Sequence, residues 1–432
     1  MRRVSPRIIP FAFIFGLSAL NLYSQDTTRS FKGYTSLEEA LFATSQPFLY
    51  DGKGVIRLEG DISAQSNGVP YDFFRKFIFK GFIDDSQKQN AFSKLRDDNR
   101  FGAIAGWNAQ VVFAPDSTSR ARKKYLSIRT RQNTIYSARF GADAFKLLFA
   151  GNKQFAGQRA DLSETSIYFT SFRTFELGYV FEKAKANYSI HLGLATGNNL
   201  QELEIQRGSL FTSEDGTYLD LDWKGDLFFS AAPEKGIFNS RAVGATMSFD
   251  FTQLLGTNWI LRESVTDLGF LVWNPKGRSA KQDTSFRFTG IQLGNLLEIS
   301  DSSIVLGDTL EQKLLGNDVR ESNMAPLPFH LSLSLERCFL KRWSLGTRLD
   351  YRYINGFKPM LGLMVRKGFG KNRSVRAGIS YGGFGNFQSF ADAVVFSNHR
   401  HSLNLGTVFN EGFLVRKSSG NLGVRLIYIH HI

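Results

Sequence analysis

Residues 329–353 read FHLSLSLERCFLKRWSLGTRLDYRY, and this stretch decides the fold. In its first half every second residue is apolar: Phe329, Leu331, Leu333 and Leu335. In its second half Trp343, Leu345, Leu349, Tyr351 and Tyr353 share one face, and Ser344, Gly346, Arg348, Asp350 and Arg352 share the other. Because successive side chains of a strand point to opposite faces, the stretch predicts two strands, each with one apolar and one polar face.

The same alternation recurs along the chain. Segments with this pattern include those around Ile56, Ala103, Leu126, Ile190, Val375 and Leu403. Their lengths of roughly 10–12 residues suit tilted strands that cross an outer membrane, whereas strands of soluble proteins average about 5–6 residues. Turn signals such as Asn187–Tyr188 and Asn355–Gly356 separate them.

The number of such segments predicts an all-β fold. We expect an antiparallel transmembrane β-barrel of about 14 strands, within a range of roughly 12 to 18, with short helical inserts. A large soluble β-protein is the alternative, since its strands also alternate.

Composition also favours a membrane barrel over a helical membrane protein. The chain holds 41 Phe, 14 Tyr and 40 Gly, yet its mean hydropathy is −0.19. A helical membrane protein would be far more hydrophobic, and no segment after the first residues reaches a span of about 18 apolar residues. Many aromatic residues with modest hydropathy are typical of strands that have one face in lipid and one in a polar interior.

The first residues predict a secretory signal peptide over 1–24. Arg2, Arg3 and Arg7 precede an apolar run at 8–20, which ends near the small residue Ser24. A buried N-terminal helix is the alternative. The predicted domains are this signal peptide, an N-terminal extension at 25–52 and the barrel at 53–432.

Three segments break the alternation. Residues 71–98 carry Phe73, Phe74 and Phe77 at helical spacing and predict a helical insert, and 143–155 predict a second one. Residues 295–326 form a long polar connection, and the segments within 201–229 read as extramembrane hairpins. Such inserts could plug the lumen, cap a barrel end or bind a partner, and a folded loop lid is the simpler alternative.

The net charge of the chain indicates which classes of partner to expect. The chain has 53 basic and 39 acidic residues, a net charge of +14. A secreted protein rarely meets nucleic acid, so we expect no nucleic-acid partner. The predicted partners are outer-membrane lipid and lipopolysaccharide, whose phosphates are anionic, together with envelope proteins.

Seven residues are predicted to face the lumen because of their parity with apolar neighbours. They are Arg129, Arg131, Arg348, Asp350, Arg352, Arg366 and Arg376. An arginine facing lipid near the membrane midplane costs about 2–4 kcal/mol, so these side chains must point inward or lie at the rim. A basic lumen would favour anionic solutes. Alternatively, the carboxylates of Asp350, Glu336, Glu176 and Asp267 pair with the arginines and fill a closed interior.

The sequence offers no catalytic, cofactor or metal site. The six histidines lack a nearby carboxylate cluster, and Cys338 is the sole cysteine, so there is no disulfide. His330 and Ser332 resemble the His-x-Ser pair of outer-membrane phospholipases. Their parity points them to the lumen and away from lipid substrate, so we expect no enzyme and keep a lipid-modifying enzyme only as a third hypothesis.

Three motifs in order resemble a known family. Residues 147–161 read LLFAGNKQFAGQRAD, 176–179 read ELGY and 265–273 read VTDLGFLVW. This order resembles an uncharacterised outer-membrane β-barrel domain family of Bacteroidota, a domain of unknown function. The resemblance covers the chain from about residue 50 onward and implies a barrel in the outer membrane. It implies no activity and no catalytic residues, and the Asn-Pro-Ala start of many relatives is absent from this sequence.

Together these patterns predict an outer-membrane channel or transport barrel, porin-like, for small or apolar solutes. The alternative is a structural or assembly component of a cell-envelope secretion or surface-anchoring complex. The polar lumen motivates the first hypothesis, whereas the inserts and the long connection motivate the second.

Overall fold

The computed structural model describes most of the chain after residue 53. The described ranges are 54–78, 81–121, 124–183, 186–231, 240–256, 258–289, 319–320, 322–340, 343–369, 373–397, 400–409 and 420–432. The predicted signal peptide and N-terminal extension lie outside the described residues, as does most of the polar connection at 295–326.

Strands dominate the described residues. The strands are β1 (Gly54–Ser66), β2 (Asn99–Phe113), β3 (Lys124–Phe140), β4 (Arg159–Asp161), β5 (Thr165–Lys183), β6 (Ala186–Thr212), β7 (Leu219–Phe229), β8 (Ala242–Leu255), β9 (Trp259–Trp273), β10 (Arg278–Phe288), β11 (Val319–Arg320), β12 (Asn323–Pro326), β13 (His330–Leu340), β14 (Trp343–Arg352), β15 (Lys358–Phe369), β16 (Arg373–Gly383), β17 (Phe387–Ser397), β18 (His401–Phe409) and β19 (Leu422–His431). The helices are α1 (Tyr71–Ile78), α2 (Asp85–Phe92), α3 (Ser117–Ala121) and α4 (Ala142–Ala150), with a 3-10 turn at Lys153–Phe155. None of the helices described is long and apolar enough to span a membrane.

Fourteen of the strands close into an antiparallel ring, which confirms the predicted barrel. The ring order is β1, β2, β3, β5, β6, β8, β9, β13, β14, β15, β16, β17, β18 and β19. The strands β1 and β19 complete it, from the pair Val55↔His431 to the pair Ala64↔Leu422. Closure leaves the ring with no unpaired edge.

One strand of the ring is much longer than predicted. β6 has 27 residues, whereas a membrane crossing needs about 9–11. Its first part pairs with β8, and its second part pairs with β7, which in turn pairs with β10. The segments at 201–229 therefore form a sheet that extends beyond the ring. The turn predicted at Asn187–Tyr188 is wrong, because both residues lie inside β6.

The outer face of the ring is apolar. Large side chains on it are strongly exposed, for example Leu194 at 63% and Leu361 at 60%. An apolar surface of this extent would aggregate in water but suits hydrocarbon. Aromatic side chains occur at both ends of the strands, with Trp259 and Trp343 at one end and Tyr381 at the other. Such rings prefer a membrane interface.

The two ends of the ring differ in their connections. At the end that holds Gly54 and His431, which we call the short-turn end, five connections have two or three residues: 184–185, 256–258, 341–342, 370–372 and 398–400. At the opposite end, the long-loop end, the connections include 67–98, 141–164 and 274–329. Outer-membrane barrels show the same asymmetry, with short periplasmic turns and long extracellular loops.

Helices α1, α2 and α4 pack together at the long-loop end. Their shared core holds Val69, Phe73, Phe74, Ala91 and Phe145, and Phe101 of β2 and Phe140 of β3 pack against it. The α2 helix begins with a capping box, in which Asp84 accepts from the Gln87 N–H and the Gln87 side chain accepts from the Asp84 N–H. The apolar face of these inserts is therefore anchored to the ring.

Phe145 is the centre of this aromatic cluster, so its replacement tests the anchoring. It lies 5.4 Å from the Phe140 ring and 4.6 Å from the Phe149 ring, centroid to centroid. We expect Phe145→Ala to destabilise the packing of the helices by about 3–5 kcal/mol. Proteolysis within 71–98 should become faster, while the ring stays intact on a heat-modifiability gel. The control is Phe82→Ala, because Phe82 is 83% exposed. Equal protease resistance of the two variants would contradict this packing.

Candidate functional site

On β2, β3 and β5 the inward side chains form three layers. The layer near the long-loop end is apolar and contains Ile104, Ile135, Phe172, Ala195, Leu200, Phe228, Ala242, Leu271, Trp273, Ala325 and Leu327. The layer near the short-turn end is also apolar and contains Val55, Val112, Tyr125, Val180, Ile427 and Ile429. Between them lies a charged layer, which is the candidate functional site.

The seven residues predicted to face the lumen all occupy strands that bound this charged layer. Arg129, Arg131, Arg348, Arg352 and Arg376 line one cavity, and Asp350 lines a second. Arg366 is fully buried against Glu336. The structure thus brings six of these side chains to cavities and holds the seventh in an ion pair.

The contacts around Glu176 connect four strands of the ring, β3, β5, β8 and β9. The Arg129 Nε lies 2.8 Å from Glu176 Oε2, and the Arg131 Nη2 lies 3.1 Å from Glu176 Oε1. Arg131 also contacts Asp267 Oδ1 at 2.9 Å, and Ser248 Oγ donates to Glu176 at 2.7 Å. Because Glu176 has no exposure to solvent, these donors replace its hydration.

A second set of ion pairs surrounds Glu336 of β13, which is four strands from β5 along the ring. Arg262 Nη1 lies 3.1 Å and Arg366 Nε lies 3.2 Å from its carboxylate oxygens. The Ser344 hydroxyl donates to the same carboxylate. Glu336 is therefore shared by two buried arginines, as Glu176 is.

Further pairs complete the charged layer. Arg348 Nε lies 2.6 Å from Asp350 Oδ2, Arg376 Nη2 lies 2.6 Å from Asp392 Oδ2, and Arg57 Nη2 lies 2.8 Å from Glu59 Oε2. Arg425 contacts the other oxygen of Glu59. Sequence reasoning missed Arg57, Glu59 and Arg425, although their alternation with Leu58, Val424 and Leu426 carried the same parity signal.

Two cavities remain within the charged layer. Their volumes are about 230 and 240 Å³. They share the lining residues Glu59, Asp61, His330, Arg348, Arg352, Arg376 and Arg425, so they adjoin each other. Polar space of this size holds several ordered water molecules or a small solute.

The wall beside these cavities is thin at one place. On the outer face, a groove is lined by Gly60, Gly106, Gly406, Ala391 and their neighbours. The inward residues Asp61, Asp392 and Arg425 also line it. Because the glycines have no side chains, little mass separates the lumen from the outer face there.

Two turns close the long-loop end of the lumen. The turn between β14 and β15 reaches the opposite wall, where Ser137 Oγ donates to the Asn355 carbonyl at 2.5 Å and Asn355 Nδ2 donates to Ser166 Oγ at 2.7 Å. In the ring, β3 and β15 are seven steps apart out of 14, so these bonds cross the full lumen.

The turn between β16 and β17 makes a second crossing. Arg100 Nη2 donates to Asn386 Oδ1 at 3.0 Å, and Phe384 is fully buried against Gly102. A Cβ atom at Gly102 would lie 2.0 Å from the Phe384 ring, so this close approach requires glycine. The Phe384 ring therefore seals the mouth against β2.

Asp98 adds a third link across the mouth. It accepts from Arg139 Nε of β3 at 2.8 Å and from Lys358 Nζ of β15 at 3.4 Å. Partial burial by itself raises the pKa of the Asp98 carboxyl, but the Arg139 guanidinium outweighs it and the pKa lies below its usual value. The link therefore stays ionised at neutral pH.

The candidate catalytic pair does not assemble as a nucleophile and base. His330 Nε2 lies 3.2 Å from Asp350 Oδ1, and both His330 and Ser332 line the lumen cavity. No hydrogen bond within the described part of the chain joins Ser332 to His330. In the same residues, no group of three or more His, Cys, Asp or Glu side chains could hold a metal ion.

Comparison with known proteins identifies one family. Residues 51–391 match the model described as a family of unknown function (DUF5723). No curated protein matches the chain.

Several solved barrels are similar in structure. A deletion mutant of the TodX monoaromatic hydrocarbon channel is 9% identical, with a TM-score of 0.45, and the alignment covers 88% of this chain and 91% of the TodX chain. The Ralstonia pickettii toluene transporter TbuX is 7% identical, with a TM-score of 0.43 and coverages of 88% and 90%. A Pseudomonas aeruginosa FadL homologue is 11% identical, with a TM-score of 0.40 and the same coverages. Similarity at this level carries no functional information.

Glu176 holds two arginines, so its charge can be tested directly. We expect Glu176→Gln to lower the free energy of unfolding by roughly 3–5 kcal/mol, because Arg129 and Arg131 lose their shared partner in a buried site. Urea unfolding in detergent measures this change. The control is Glu164→Gln, since Glu164 pairs with Arg139 at an exposed position. Similar effects of the two substitutions would show that Glu176 does not organise the layer.

Proposed function

Because the chain belongs to DUF5723, a family of unknown function, we propose from the geometry of its lumen that it is a gated transport barrel for small solutes. The observation that carries the proposal is the pair of adjoining charged cavities beneath a mouth closed by turns. Protein interiors are normally close-packed. Polar space that side chains leave unfilled therefore supports a role in holding a solute.

The manner of closure also supports a gate. The seal consists of two short turns, at 353–357 and 384–386. The first contacts β3 and β5 through hydrogen bonds and through Ile354, which packs on the apolar cluster, and the second contacts β2 through hydrogen bonds and the Phe384 ring. Net hydrogen-bond energies of about 0.5–1.5 kcal/mol each allow such a contact to open without unfolding the ring. The proposal includes no catalytic step.

We place the barrel in the outer membrane. The apolar outer face, the aromatic residues at both strand ends and the unequal connections support this location. By the same asymmetry, the short-turn end faces the periplasm. Outer-membrane lipid and lipopolysaccharide are then its immediate partners, and origin in Bacteroidota stays a prediction from the motifs.

A second function, in envelope assembly, has one observation in its favour. The sheet formed by the end of β6 with β7 and β10 extends beyond the ring and carries charged side chains. Lys224 Nζ lies 2.6 Å from Asp283 Oδ2, and Arg287 Nε lies 2.7 Å from Asp220 Oδ1. Such a sheet offers a polar surface to an envelope partner. Isolation of the native complex would favour this role if stable partner proteins copurify.

Phe384 offers the sharpest test of transport. We expect Phe384→Ala to open the mouth, because the ring that packs on Gly102 is lost. In planar lipid bilayers the wild type should conduct rarely, and the variant should conduct more often or at a higher level. The control is Phe387→Ala, since Phe387 is 58% exposed on the outer face.

Two results would contradict the gate. If the Phe384→Ala variant shows no conductance in planar bilayers, and if liposomes that contain it take up no labelled solute, the turns do not close a conducting path. If Phe387→Ala conducts as well as Phe384→Ala, the effect arises from general loosening of the ring.

A further inference from the structure

Arg352 and Asp61 differ from the other charged side chains of the lumen. Eight other arginines of the charged layer each have a carboxylate oxygen within 4 Å: Arg57, Arg129, Arg131, Arg262, Arg348, Arg366, Arg376 and Arg425. Arg352 makes no hydrogen bond or ion pair with any described residue, and the same holds for Asp61.

Both side chains line the space between the walls. Arg352, at the end of β14, and Asp61, in β1, each line both cavities. The negative charges that act on Arg352 belong to Asp267, Asp61 and Asp350. Within the described residues Asp267 is already paired with Arg131 and Asp350 with Arg348, so Asp61 is the one of the three without an ion-pair partner.

The chemistry of the two groups defines what would complete them. A guanidinium presents planar N–H donors that match a carboxylate in a two-pronged arrangement. A carboxylate accepts from an ammonium group. Charged groups held away from bulk water are costly unless they are paired, so these two positions favour a ligand that satisfies both.

The ion pairs around Arg352 and Asp61 determine which charges the ligand must carry. Arg348 and Arg376 are each paired with a carboxylate next to them, and Arg425 shares Glu59 with Arg57. Arg352 and Asp61 are then the positive and the negative group of the shared space that have no ion-pair partner among the described residues. An anion alone would leave Asp61 unpaired, and a cation alone would leave Arg352 unpaired. A molecule with both charges neutralises the two.

We propose that the lumen binds a small zwitterionic solute, with its carboxylate on Arg352 and its ammonium group on Asp61. This inference rests on the proposed function, since it names the class of solute that the barrel would carry. Because Arg352 and Asp61 lie beyond ion-pair distance from each other, the solute must span the gap, and its charge separation becomes the selective feature.

A series of amino acids with increasing charge separation tests the site. The purified full chain in detergent is titrated by isothermal calorimetry with glycine, β-alanine, 4-aminobutyrate and 6-aminohexanoate, and with acetate and methylammonium as single-charge probes. We expect one length of the series to bind best and both single-charge probes to bind more weakly.

Variants then assign the two ends. Arg352→Met and Asp61→Asn should each weaken the best zwitterion about tenfold or more, because a charged hydrogen bond is lost. For acetate, Arg352→Met should reduce binding and Asp61→Asn should not. Arg352→Lys keeps the charge and should retain partial affinity, which serves if Arg352→Met fails to fold. Arg287→Met is the matched control, since Arg287 is an exposed arginine on β10.

The outcomes separate this inference from the function on which it rests. If no probe binds the wild type, or if Arg352→Met and Arg352→Lys both bind as tightly as the wild type, Arg352 and Asp61 do not form the binding site. This conclusion holds even if the protein conducts in planar bilayers. If zwitterions bind and the variants lose binding, but no solute crosses liposomes, the site is correct and the transport function is wrong.

Discussion

The structure depends on the pairing of every backbone N–H and C=O group along strands that face hydrocarbon. Lipid offers no hydrogen-bond partners, and each unpaired group there costs several kcal/mol. The sheet meets this constraint when β1 pairs with β19, after which the ring has no free edge. Closure also divides the side chains of every strand between lipid and lumen, because they alternate with a period of two. The contents of the lumen are therefore a consequence of backbone pairing.

A ring of this width cannot be filled as small barrels are. Eight strands leave room for little more than their own side chains, whereas more strands enclose a wider interior. Here long arginine side chains reach inward, and carboxylates on other strands hold them in place, as Glu176 of the adjacent strand β5 holds Arg129 and Arg131 of β3. Charge pairing thus organises the middle of the lumen, and on β2, β3 and β5 an apolar cluster lies on each side of it. The cavities occur where this pairing leaves space.

The alternation of apolar and polar residues was enough to predict the barrel, because the face to which a side chain points depends only on its position along its own strand. The apolar residues from Phe329 to Leu335 identify one face of β13 from the sequence alone, whichever strands lie beside it. The ion-pair partners could not be predicted in this way. Arg131 contacts Asp267 because β3 and β9 stand four strands apart in a curved, closed ring, and no local sequence pattern indicates that contact. The turn signal at Asn187–Tyr188 lies a few residues too late, since Asn187 already pairs with Glu182 of β5 and the connection between β5 and β6 is 184–185. The sheet beyond the ring was foreseen only as hairpins, without its connection to β6.

The closed mouth also has a consequence for the order of assembly. Its contacts join residues far apart in sequence: Arg100 and Gly385 are separated by 285 positions, and Ser137 and Asn355 by 218. Contacts between such distant residues carry a high entropic cost until the intervening chain is ordered. The two turns reach their partners only across a formed ring, so these contacts are expected to form after ring closure, although β1 and β19 join residues even farther apart in sequence. The chain therefore passes through a barrel with an open mouth before it reaches the native state. Reversing this last folding step opens the mouth, and it breaks only the contacts of the two turns.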